Sequence, residues 1–251
     1  MEKLEMLKIN KDCWDVVAPK FFGVESLPEY GPLTVTEDEI KLFDDINHKK
    51  VLDIGCGSGH SLKYMADNGA HELWGIDLSS TQIETAKQVL KDYNPRLFCV
   101  AMEDHTYLPQ DYFDIVYSIY ALGWTTDLPT TLKYIYSYLK KDGTFIFSWE
   151  HPIYPHVKAE NNSIILQGSY QLEEPVMFNS FKGEQLPVIL HRRKLETYIN
   201  SLIEAGFKIE RLIEGNASSR FNSEEDAFTE KYYSLYKTRM VPNTFIIKAR
   251  K

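Results

Sequence analysis

From Lys50 to Glu150, short and almost wholly apolar runs alternate with amphipathic stretches, and that rhythm admits few architectures. Val51-Leu52-Asp53-Ile54 reads as a strand, followed by strands at Glu72 to Leu78, Leu97 to Ala101, Phe113 to Ile119 and Thr144 to Trp149. Strands this short and this apolar suit a parallel sheet covered on both faces. The intervening segments carry a helical period: Leu62, Met65 and Ala66; then Ile83, Ala86 and Leu90; then Leu128, Leu132, Ile135 and Leu139. Ser79 and Gln82 have capping-box spacing, and Asp127 stands where an N-cap belongs. Gly69 lies past the end of the first of these helices, and Lys140-Lys141-Asp142-Gly143 is expected to end the third, with its cations at the negative end of the dipole. Right-handed crossovers turn such a series into a doubly wound α/β sheet. Strand-like runs at Phe207 to Ile213 and Thr244 to Ile247 bring the strands to seven.

The flanks read differently. Residues 1–50 form a helical, aromatic-rich leader with Trp14, Phe21, Phe22 and Tyr30, broken at Pro28-Glu29-Tyr30-Gly31-Pro32. Glu37 to Asn47 has Ile40, Phe43 and Ile46 three apart, which predicts a helix. Residues 151–190 are rich in Pro, Tyr, Asn and Gln, with a weak strand signal only at Ser163 to Leu166, and read as an inserted cap over a substrate. Leu195 to Ala205 is helical and Gly206 ends it, whereas Glu214 to Arg239 is polar and irregular around a Tyr232-Tyr233 pair. Nothing resembles a linker, so 1–251 is expected to be one domain: leader or lid (1–50), core (51–150), cap (151–190) and C-terminal helix and strands (191–251).

With 43% hydrophobic and 25% charged residues, 251 residues suffice for a substantial core. A net charge of −8 repels phosphate backbones, so nucleic acid is a poor expected partner. Cys13, Cys56 and Cys99 are too sparse for a disulfide framework or a zinc site, which points to a cytoplasmic location and no metal. No apolar run approaches the roughly 18 residues of a membrane span, and MEKLEMLKINKD lacks the apolar core of a signal peptide.

The strongest chemical signal is Asp53-Ile54-Gly55-Cys56-Gly57-Ser58-Gly59. Glycines between a strand and a helix let backbone N–H groups approach a ligand closely. The dinucleotide spacing fails, because His60 stands where its third glycine belongs, and no Gly-Lys-Ser/Thr follows to make a phosphate loop. Asp77 ends the second strand, twenty residues after Gly57. A carboxylate there accepts hydrogen bonds from both hydroxyls of a ribose, in NAD as in other nucleosides.

The D-x-G-x-G-x-G spacing resembles motif I of the class I S-adenosylmethionine-dependent methyltransferases, and the likeness runs from about Trp14 to Gly206. Phe147-Ser148-Trp149-Glu150-His151-Pro152-Ile153-Tyr154 further resembles a run in largely uncharacterised bacterial members of methyltransferase type 11-like, small-molecule type. The resemblance implies a Rossmann-like, mostly parallel sheet and S-adenosyl-L-methionine as cofactor. It places Gly55, Cys56 and Gly57 at the methionine end with Asp53 orienting the turn, Asp77 on the ribose with Leu78 and Gln82 beside it, and Ser118 beneath. Where the family's common form has an Asp near Ala101, this chain has none; Met102 and Glu103 are expected at the adenine edge, with Glu103 or Asp104 replacing that carboxylate. Many relatives have His where Gly123 stands, and the usual Leu-Lys-Pro-Gly-Gly turn is Lys140-Lys141-Asp142-Gly143-Thr144 here.

Trp14 and Tyr30 either close over the cofactor, where an aromatic face attracts a sulfonium, or pack the leader. Tyr120 and Trp124 either wall a substrate pocket or simply pack. Glu150 and His151 follow the fifth strand, and His191 precedes a helix that returns to the sheet; His151 and His191 are the candidate catalytic groups. His60, His71, His105 and His156 have no such positional argument. The function expected is methyl transfer to a small molecule. The alternatives are a nucleic-acid methyltransferase, which lacks the expected Asn/Asp-Pro-Pro-aromatic motif, an NAD-dependent oxidoreductase, and a non-catalytic S-adenosylmethionine-binding scaffold subunit.

Overall fold

The computed structural model describes residues 2–23, 25–104 and 108–251; His105 lies outside them. The leader holds α1 (Lys3–Val17) and α2 (Glu37–Ile40). The core runs β1 (Lys50–Ile54), α3 (His60–Asp67), β2 (Glu72–Asp77), α4 (Ser80–Val89), β3 (Arg96–Cys99), β4 (Phe113–Ile119), α5 (Leu128–Tyr138) and β5 (Leu139–Glu150). Two hairpins follow, β6 (Val157–Glu160) with β7 (Ser163–Leu166) and β8 (Pro175–Phe178) with β9 (Val188–His191). Then come α6 (Leu195–Ala205), β10 (Lys208–Glu214), α7 (Leu235–Thr238) and β11 (Thr244–Arg250).

Seven strands form one sheet in the order β10-β11-β5-β4-β1-β2-β3. All its pairings are parallel except those of β11, which runs antiparallel to both β5 and β10. Strand alternation sends Leu52, Ile54, Val116, Phe145 and Phe147 to one face, where α5 and α6 cover them with Leu132, Ile135, Tyr198 and Leu202. Val51, Ile115, Tyr117 and Ile146 point to the other face, under Leu62 and Met65 of α3, Ile83 of α4 and the leader's Leu42 and Phe43. The order reverses between β1 and β4. Their carboxyl ends, with that of β5, therefore open the crevice in which such sheets hold ligands.

Three local expectations are corrected. The helix predicted over Glu37 to Asn47 stops at Ile40 with Lys41 left-handed, because the buried Glu37 carboxylate accepts from Leu42 N at 3.0 Å and Phe43 N at 2.9 Å. Lys140 to Gly143 do not end α5. That helix stops at Tyr138, Leu139 already pairs with Phe113, and the register jumps to Ile115 opposite Thr144, so the intervening residues bulge out. Lys140 then bonds Asp114 at 2.7 Å instead of facing a helix end. At α4 only half the capping box forms: Ser79 Oγ accepts from Gln82 N at 3.2 Å, while Gln82 Oε1 is buried without a partner.

Candidate functional site

β1 ends at Ile54, and the chain turns under the neighbouring strand as Gly55 N and Cys56 N both donate to Ile76 O, at 2.8 and 2.9 Å. This turn fixes the floor of a cavity of about 520 Å³. Asp53, Gly55, Cys56, Gly57, Ser58 and His60 line it from the core; Phe21, Gly23, Glu25, Leu27 and Glu29 from the leader; Ile119 and Arg220 complete it. Gly57 is left-handed (φ +52°), and a Cβ built there meets nothing nearer than Gln82 Oε1 at 4.0 Å. The turn is thus an open cradle that a side chain would fill, with an unpartnered buried amide oxygen beside it. A buried polar atom left unpaired is costly, and a ligand with N–H or O–H donors relieves that cost.

Asp77 closes one side of the turn. Its Oδ2 accepts from Gly57 N at 2.9 Å and its Oδ1 from Ser79 N at 2.8 Å. Burial pushes its carboxyl up to about 6, against the pull of those two donors. Burial also carries Asp53 well above the usual carboxylate range; the Tyr117 phenol opposes this and the Asp77 charge adds to it. Each Asp77 oxygen keeps acceptor capacity beyond its one backbone bond, as hydrogen-bonding two ribose hydroxyls requires.

The remaining expected residues divide. Met102 lies against the turn, its Cε 3.8 Å from where a Gly55 Cβ would stand. The Leu78 carbonyl is 3.5 Å from Cys99 Sγ, just beyond Asp77. Glu103 is turned away from any adenine position, because its Oε1 accepts from Thr126 N at 2.7 Å and Thr126 Oγ1 at 2.6 Å. Ser118 sits beneath the turn, but its hydroxyl donates to Ile54 O at 2.7 Å and braces the strand ends. Tyr30 is fully buried with its phenol on Glu37, so it packs the leader and does not reach the cavity. Trp14 stands in an aromatic cluster with Phe21 at 4.9 Å, Trp124 at 5.2 Å and Phe181 at 5.6 Å between ring centroids. Phe21 carries that cluster to the cavity wall.

Neither candidate catalytic histidine lines the cavity. His151 is buried, its Nδ1 accepts from Ile153 N at 3.2 Å, and its Nε2 faces Glu214 Oε1 at 3.1 Å across the β5–β11–β10 edge. Burial holds its pKa down, with Glu214 opposing. His191 lies on β9 with Nε2 3.4 Å from Met6 Sδ of α1; burial and then Arg193 hold it down. The imidazole at the cavity is His60, whose Nδ1 is 2.9 Å from Ser58 Oγ. Ser58 Oγ also accepts from Gly23 N at 3.0 Å, which ties the leader onto the turn. Burial, then the Lys63 charge, keep His60 below its usual value.

One latch beside the site has no signal in the sequence pattern. Asp15 of α1 accepts from Ser79 Oγ at 2.7 Å and Thr81 N at 3.2 Å and pairs with Lys11 at 2.6 Å, so α1 is latched to the start of α4 beside Asp77. Burial works to raise the Asp15 carboxyl, but Lys11, Ser79 and Thr81 together hold it below the usual range. At the end of β5 the Glu150 carboxylate accepts from Tyr232 at 2.9 Å and Tyr233 at 2.6 Å, and Tyr233 reaches Tyr120 at 3.0 Å. Gly123 explains its missing side chain: a Cβ there would lie 1.8 Å from the Trp149 indole. The indole occupies the space that a His at this position would need.

A family model described as a methyltransferase domain matches residues 52–147. An uncharacterized protein of Haemophilus influenzae is 34% identical over 189 residues, covering 70% of this chain and 73% of that protein. A malonyl-[acyl-carrier protein] O-methyltransferase of Priestia megaterium is 26% identical over 210 residues, 74% of each chain. Among solved structures, a putative S-adenosylmethionine dependent methyltransferase from Listeria monocytogenes superposes with a TM-score of 0.73 at 28% identity, covering 86% of this chain and 95% of that one.

Proposed function

Because the chain belongs to the class I S-adenosylmethionine-dependent methyltransferases, with S-adenosylmethionine as its cofactor, we propose that it methylates a small-molecule acceptor by in-line displacement. The observation that supports this reading is the cavity itself: about 520 Å³ between the glycine turn and the leader, walled by both and partly open to solvent. A chamber of that size suits a nucleoside and a small acceptor; wells for bound small molecules run from about 300 to 1,000 Å³.

Gly55, Cys56 and Gly57 form the cradle for the methionine end, and Asp77 and Gln82 hold polar atoms of the nucleoside, with Leu78 and Met102 as its apolar neighbours. When bound, the cofactor supplies a methyl on sulfonium whose departing thioether is neutral, so most of the driving force is its own. The protein's task is then mainly placement. Phe21, Leu27 and Ile119 give the acceptor an apolar wall, and the leader, fastened by Ser58 and Asp15, excludes water. The segment 151–190 acts as a cap through β9, which Asn10 of α1 joins to the lid with bonds of 2.8 and 2.9 Å to Ile189. His60 is the imidazole placed to accept a proton from an acceptor that must lose one, in place of His151 or His191.

The test is methyl transfer from labelled S-adenosylmethionine to three acceptor pools: small metabolites, proteins and nucleic acids. Label in the small-molecule pool, abolished by Asp77→Ala, is expected. Label only in protein or nucleic acid would refute the small-molecule reading, and donor binding with no transfer to any pool would favour a scaffold role.

A further inference from the structure

The cavity over the glycine turn is lined by three carboxyl groups, Glu25, Glu29 and Asp53, and Arg220 is its only lysine or arginine among the described residues. Arg220 belongs to the irregular C-terminal stretch, which the fold staples to the leader. Thr34 bridges to Ala217, Thr34 Oγ1 donates to Asn216 O at 2.9 Å, and Ser218 N donates to Leu33 O at 3.0 Å. The Glu39 carboxylate accepts from Ser219 N at 2.7 Å and Ser219 Oγ at 2.6 Å. Burial alone would raise the Glu39 carboxyl, but the Ser219 and Thr36 donors bring it to about 2, so the staple stays ionised across the working pH range. The residue next to that staple is Arg220. Its backbone is therefore held by groups outside the cavity, while its partly exposed side chain lines the cavity and its guanidinium lies over the Phe221 ring, 4.8 Å from the centroid.

Nη1 of Arg220 donates to Glu29 in a partly exposed pair, and neither Nη2 nor Nε has a protein acceptor among the described residues. A guanidinium is a planar fork suited to bidentate binding of a carboxylate. Here the fork is half used, and Glu29 keeps it neutralised.

We propose that Arg220 is the carboxylate-reading residue of this cavity, its free N–H groups receiving a carboxylate of a bound molecule. That carboxylate belongs either to the amino-acid end of the cofactor or to the acceptor. The inference rests on the S-adenosylmethionine reading of the site. Glu29 then serves as a placeholder: it neutralises the guanidinium and competes for it until the ligand arrives.

Calorimetry on the full chain separates the two sources. S-adenosylhomocysteine carries the amino-acid carboxylate, and 5′-methylthioadenosine is the same nucleoside thioether without it. Arg220→Gln is expected to weaken S-adenosylhomocysteine about 10- to 100-fold, the worth of a hydrogen bond to a charged group, and to leave 5′-methylthioadenosine unchanged, which also shows that the variant is folded. Glu29→Gln removes the competing carboxylate and is expected to tighten S-adenosylhomocysteine several-fold; a merely structural ion pair would give weaker binding, and that result would overturn the proposal. If Arg220→Gln holds both nucleosides like wild type, glutarate titrated into the S-adenosylhomocysteine complex is the second probe. Glutarate binding that Arg220→Gln abolishes assigns Arg220 to the acceptor's carboxylate. Unchanged nucleosides and no glutarate binding overturn the proposal alone, while a wild type that binds neither nucleoside overturns the cofactor reading and this inference with it.

Discussion

Asp77 accepts two backbone N–H groups and, in the function proposed, receives a ribose, and these demands set a pH dependence. Its carboxyl sits at about 6 without ligand. The folded chain therefore binds this proton more tightly than the unfolded chain does. Its contribution to stability is present below the unfolded carboxylate value and is lost as pH rises through about 6. Ribose hydroxyls donate to the ionised form, so nucleoside binding moves the other way. S-adenosylhomocysteine affinity is expected to rise as pH goes from 5 to 7, and Asp77→Asn to flatten that step, as calorimetry at a series of pH values would show. An equal step in the variant would assign it to another group. Asp77 and the glycine turn come together as their spacing suggests because both belong to one strand-turn-helix unit. The sequence leaves Tyr30 open between closing over the cofactor and packing the leader, and tertiary approach decides for packing on Glu37; the Glu103 carboxylate is drawn to Thr126, and Ser118, expected beneath the site, lies beneath the turn on Ile54 O. His151 stands out for following the fifth strand and His191 for preceding a helix that returns to the sheet; such positions say where the backbone goes but not which way an imidazole turns.

The elements that close the site are held by side chains that imitate backbone. Asn10, buried in α1, donates through Nδ2 to Ile189 O and accepts through Oδ1 from Ile189 N, as a neighbouring strand would. Asn10→Leu leaves both strand groups unpaired under the helix, at a cost of about 2–4 kcal/mol from two buried unsatisfied groups. Hydrogen exchange at Ile189 is expected to quicken well beyond that in β1 or β4, because α1 and β9 come apart before the sheet does. Equal acceleration throughout the chain would mean that the lid has no independent opening. The sheet strands, α5 and α6 could be read in advance because their apolar periods answer to a single large core. The hairpin β8–β9 and the one-turn α2 could not. The first pairs two four-residue, mostly apolar runs that show no alternation and lie in a stretch rich in Pro, Asn and Gln, and the second is cut short by one side chain, Glu37, that satisfies the amides beyond it.

Taken whole, the chain places a glycine turn, the Asp77 carboxylate and an unpaired amide oxygen at the point where the strand order reverses, then covers the turn with its two ends. The leader crosses the turn through Ser58, and the C-terminal stretch reaches the cavity through Arg220, 163 residues after Gly57 in the chain yet beside it in space. No spacing rule links such distant segments, so the core was readable and its covering was not. Among the described residues no helix is long and apolar enough to cross a membrane, and no group of His, Cys, Asp and Glu is arranged to hold a metal. In the function proposed, S-adenosylmethionine sits over Gly57. The most direct measurement is calorimetric titration of S-adenosylmethionine into the wild-type chain and into Asp77→Ala. One-site binding, weakened at least about tenfold by the loss of hydrogen bonds to a charged acceptor, is the expected result; no binding to wild type, or equal binding to both proteins, would contradict the site described.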